Sequence, residues 1–167
     1  MTEQTEIFKL EKSIWTHDDF EEMGWHDANI YGFTIEKSED NWTADFLLDL
    51  DYIFKWVHPI PPAHTFTFWV APCTLIFKEC FDLHIDFKTD GGCLDLMEIA
   101  DLYLKSKTEQ EKNKFVYEWI IELQQGQISL KSIGLEQIVR QQPQYVHGQT
   151  LGFDERGKIN FSRNPYL

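Results

Sequence analysis

The stretch GWHDANIYGF, residues 24–33, sets an imidazole beside a carboxylate at His26 and Asp27. One class of metal phosphohydrolase builds its site from such a pair, held on helices, with further His and Asp ligands from neighbouring helices. Here Trp25, Asp27, Asn29, Tyr31, Phe33 and Ile35 share one parity and read as one face of a strand, so the helical context is missing. The spacing instead predicts a structural motif of Trp25, His26 and Asp27. In it, His26 or Asp27 bonds backbone groups where a helix turns into the first strand, because a buried polar group left unpaired is costly.

A second grouping has period two. Asp49 and Asp51 lie about 7 Å apart along a strand by strand rise, and His84 and Asp86 repeat that spacing. With Asp45 and Asp82 they make a polar strand face, which we expect to be solvated and to serve as a contact surface. Were the two strands neighbours, the same side chains would form a carboxylate and imidazole cluster able to bind a divalent cation, and a metal-dependent or small-molecule enzyme is the alternative expectation. His58 and His64 flank a proline loop without a third ligand in sight, and neither a GxSxG elbow nor a phosphate-cradling glycine loop occurs. No catalytic residue, metal or cofactor is assigned from these patterns.

The elements that must position these groups are mostly strands. A helix is expected at about 17–23, with Thr16 as N-cap, Asp19 at its third position and Gly24 as a left-handed stop. In ADFLLDLDYIFKWV the even positions Phe46, Leu48, Leu50, Tyr52, Phe54 and Trp56 are apolar, which sorts the run onto two faces of a strand. Prolines 59, 61 and 62 mark a loop; TFTFWV is a strand expected to break at Pro72. Leu75 to Phe87 reads as one bent strand or two short ones, closed by TDGG at 89–92, and 94–105 as a further strand. Residues 106–114 read as a polar loop, followed by a hairpin in which Phe115, Tyr117, Trp119, Ile121 and Leu123 alternate before a turn at Gly126. The tail after Pro143 has turn signals and no strong period. The expectation is a mainly β fold, an antiparallel sandwich or half-open barrel-like sheet with one short N-terminal helix, formed by residues 1–167 as a single domain.

Composition agrees with that size of core. Hydrophobic residues make up 43% of the chain and aromatics 15%, enough for burial to offset ordering entropy without disulfides. The three cysteines, Cys73, Cys80 and Cys93, are odd in number and lie in or beside apolar runs, which reads as buried free thiols in a reducing compartment. The start is polar and acidic, and no apolar run approaches the roughly 18 residues of a membrane span, so a cytoplasmic location and no membrane partner are expected. Residues 1–101 hold 6 Lys/Arg against 21 Asp/Glu, a net of −15, whereas 102–167 hold 9 against 7, a net of +2. That field repels nucleic acid and suits a basic protein as partner.

GWHDANIYGF, DLDYIFKW, APCTLIFKECFDLHIDF and GQTLGFDERG together resemble a family of small uncharacterised bacterial proteins of mostly β structure, over about residues 15–160. The pattern over 24–87 is also similar to proteins assigned as immunity factors of bacterial toxin systems. Neither resemblance supplies catalytic residues. The second implies a non-enzymatic inhibitor that binds a toxin domain, for which the acidic first half would suit a basic nuclease.

Overall fold

The computed structural model describes residues 7–167. Ten antiparallel strands make one strongly bent sheet that does not close into a barrel. They are β1 (Ile14–Thr16), β2 (Asn29–Lys37), β3 (Ala44–Val57), β4 (Thr67–Lys78), β5 (Phe81–Phe87), β6 (Met97–Glu111), β7 (Lys114–Leu123), β8 (Gly126–Ser132), β9 (Gly134–Val139) and β10 (Gln144–Val146). The order across the sheet is β1-β9-β4-β3-β2-β6-β7-β8-β5, with β10 against the first part of β4. Strands β2 and β6 pair only at Asn29 with Glu98 and Ile30 with Met97, so the two halves hinge there and pack face to face.

Alternation explains the core between them. The even side chains of β3 (Phe46, Leu48, Leu50, Tyr52) meet Cys73, Leu75 and Phe77 of β4 and the odd ones of β7 (Tyr117, Trp119, Ile121, Leu123), all buried in one cluster. His17–Glu22 is a 3₁₀ helix, as short as its six residues demand. Thr16 accepts from the Asp18 amide while the Asp19 carboxylate accepts from the Thr16 amide at 2.9 Å, closing a capping box.

Five expectations need correction. Gly24 is not a left-handed stop: the helix ends at Met23 in extended conformation, and the positive φ falls on Asp27 at 63°. Pro72 does not break a strand, since β4 runs through it. The β10 partners end at Val70 and the β9 partners begin at Cys73, so the missing N–H falls where no ladder needs it. Residues 106–111 are strand rather than loop, because β6 and β7 pair out to Glu111 and Lys114. A bulge between Ile30 and Gly32 breaks the parity of β2: Phe33 and Ile35 register with Leu48 and Phe46, on the face of Ile30 rather than of Asn29, and both are exposed. Of the free cysteines, Cys73 is buried, Cys80 half-buried and Cys93 exposed, so burial is not common to all three. No helix among the described residues is long and apolar enough to cross a membrane. The polar start at 1–6 lies outside the described residues.

Candidate functional site

The six side chains expected on one solvated face divide sharply. Strand β3 is central, and its odd face is covered by the C-terminal segment: Asp49 and Asp51 are fully buried, and Asp45 nearly so. The expectation that this part of the face is solvated is therefore corrected, because the tail supplies arginines that take every one of these carboxylates. Asp49 accepts from Arg140 at 2.7 Å, from both terminal nitrogens of Arg156 at 2.7 and 2.8 Å, and from the Asn160 amide at 2.9 Å. Asp51 accepts from Arg156 Nε at 3.0 Å and from the Leu151 amide at 2.9 Å. Asp45 pairs with Arg163 at 3.0 Å.

Arg156 itself is buried with Tyr31 stacked over its guanidinium, 3.6 Å from ring centroid to Cζ, and also donates to the Lys158 carbonyl. Burial, helped by the nearby Asp51 charge, pushes the Tyr31 hydroxyl up to about 12. Burial likewise pushes the Asp51 carboxyl up, against the pull of the Leu151 amide and Arg156. With these donors in place, the β3 carboxylates and Arg156 form a satisfied ionic clasp that ties the tail to the sheet.

On β5 the same alternation ends differently. This strand is last in the sheet order, with β8 on one side. Asp82, His84 and Asp86 are exposed, whereas Leu83 and Ile85 turn toward the core. Asp82 holds Lys131 at 3.1 Å. Beside the strand opens a groove of about 550 Å³ lined by Ile30, Phe33, Ile85, Phe87, Leu94 and Met97. Phe33 is 46% and Leu94 76% exposed, so the groove wall is apolar surface in contact with water. Among the described residues no group of three or more His, Cys, Asp or Glu is arranged to hold a metal ion.

The opening pair sits before β2. Trp25 is buried, stacked on Phe20, and donates its indole N–H to Gln137 at 2.8 Å. His26 Nδ1 lies 2.8 Å from the Ala100 carbonyl, which it can meet only as a donor, and Nε2 is 3.4 Å from Asp27. Asp27 also accepts from Gln149 at 2.9 Å. Burial pushes the nearby Glu98 carboxyl up, and the adjacent Asp27 adds to it. The pair thus links the turn before β2 to β6 and to the tail, with an exposed His26 ring stacked on Trp56. His58 packs on Phe66 beside the proline loop.

The sequence had no signal for Arg140, Arg156 and Arg163 as partners of β3, apart from the basic surplus of the second half. No family model, no curated protein and no solved structure matches the chain.

Proposed function

We propose that the chain is a cytoplasmic, non-catalytic protein-binding domain that recognises a basic protein, and that it acts as a toxin-neutralising immunity factor. The observation that carries this reading is the exposed acidic edge of β5 beside an apolar groove. Asp95 lines that groove, and Asp86 on β5 and Asp90 in the turn after it stand exposed. Interfaces of this build combine an apolar centre with a charged rim that steers an oppositely charged partner. The carboxylates best placed for acid and base work, Asp49 and Asp51, are occupied by Arg156 and out of a substrate's reach.

The test is affinity retention from lysate of the source cell on the immobilised chain, with an Asp86→Lys/Asp90→Lys/Asp95→Lys variant as control. A basic protein is expected on the wild type at low salt, released as the Debye length falls below about 10 Å, and absent from the variant. Retention by both chains, or salt-insensitive retention, would overturn the proposal, as would an empty column.

A further inference from the structure

Resting on that binding reading, we propose that the partner docks as an extended segment of alternating apolar and basic residues, which adds a strand to the free edge of β5. Among the described residues, three observations lead there. The first is the edge itself. Strand β5 pairs with β8 on one side and ends the sheet order, so its other side presents backbone donors and acceptors to solvent. Proteins blunt such edges with lysine, proline or very short strands. The outer edge of β6 carries Lys105 and Lys107, and β1 and β10 are three residues each; FDLHIDF contains neither lysine nor proline, and its bulge, with Asp82 at φ 50°, leaves His84–Phe87 in regular register with β8 and open on the other side. The second is the opening beside it. Strand β2 meets β6 only at Asn29 and Ile30, so from Tyr31 onward its far edge is also without a strand, and the groove lined by Phe33 of β2 and Ile85 of β5 lies between.

The third is charge, which selects the occupant. A strand laid beside β5 points alternate side chains into the groove, over Ile30, Phe33 and Met97, and the others outward beside Asp82, His84 and Asp86. The inward positions call for apolar residues and the outward ones for lysine or arginine. A second copy of this chain fits badly. Antiparallel pairing of β5 with itself about His84 would set Asp82 opposite the other copy's Asp86, twice over, and like charges directly opposite destabilise a ladder. The mode is β-strand addition, in which main-chain bonds give affinity and the alternating side chains give specificity.

Fluorescence anisotropy with a labelled peptide KVKVKVKVK tests this, against EVEVEVEVE and against KVKVKVKVK with alternate amides N-methylated along one edge. The blocking groups are on the probes, so the protein's fold is untouched. Saturable, salt-sensitive binding of the lysine peptide is expected, with both control peptides weaker by about tenfold or more. Amide exchange should slow at Phe81–Phe87 on binding. Equal binding of the N-methylated peptide would mean charge attraction without strand addition and would overturn the proposal, as would failure of the lysine peptide to bind or dimerisation of the free chain through β5. If a basic cellular protein is retained on the column while the lysine peptide does not bind, strand addition falls and the binding reading stands; if neither is held, both fall.

Discussion

Strands β3 and β5 are written in the same pattern, an acidic residue at alternate positions between apolar ones, yet their carboxylates end in opposite environments. Asp49 and Asp51 are sealed beneath the tail with arginine on each, while Asp82 and Asp86 stand in water at the end of the sheet. The difference is one of neighbours. β3 lies between β2 and β4, and one face of it is covered by the sandwich and the other by residues 147–163; β5 has a strand on one side only. Periodicity fixes which side chains share a face, and topology decides what lies over it.

The sharpest way to break the comparison is to remove the cation from the clasp. Arg156→Met should cost about 3–5 kcal/mol in a urea unfolding curve, because Asp49 and Asp51 would remain buried without their main partner. Asp49→Asn should also destabilise the fold clearly, contrary to what a solvated face would give. If either variant melts like the wild type, the clasp is not held by charge. Equivalent changes on β5 should do little: Asp86→Asn and His84→Ala are expected within about 0.5 kcal/mol of the wild type, and His26→Ala, whose ring is exposed, within about 1 kcal/mol. A loss on β5 as large as that on β3 would show that its exposure is not real in solution.

The smallest effect is a calibration from a carboxylate in neither group. The bond from Lys12 and that from the Thr16 amide hold Asp19 below the ordinary carboxylate range. A folded pKa below the unfolded one means that its contribution is present above the ordinary range and lost as pH falls through the folded value. Melts of wild type and Asp19→Asn should therefore differ at neutral pH and converge in acid. Curves that stay parallel down to about pH 2 would rule that out.

Much of the fold was legible because one period governs it. The even face of β3, the odd face of β7, the turn at 89–92 and the Thr16 capping box all follow from local spacing. What escaped was non-local. The bulge after Ile30 puts Phe33 on the face of Leu48 and Phe46, where it forms one wall of the groove, and no local cue announces it. Pro72 breaks a strand only if its nitrogen has a ladder duty, which depends on where β9 and β10 stop. At the candidate site, Asp82, His84 and Asp86 could be placed on one face from the sequence. The fate of Asp45, Asp49 and Asp51 could not, since their partners lie about a hundred residues away in a tail without period.

That separation gives the clasp a meaning in time. Residues separated by 105 and 107 positions must meet, so a chain leaving the ribosome exposes Asp49 and Asp51 long before Arg156 exists to receive them. Until then the odd face of β3 is a row of hydrated anions with Leu47 between Asp45 and Asp49 and Ile53 beyond Asp51, and nothing draws it shut. The domain therefore matures from its far end: synthesis lays down the sheet, and the arrival of the last arginines closes it.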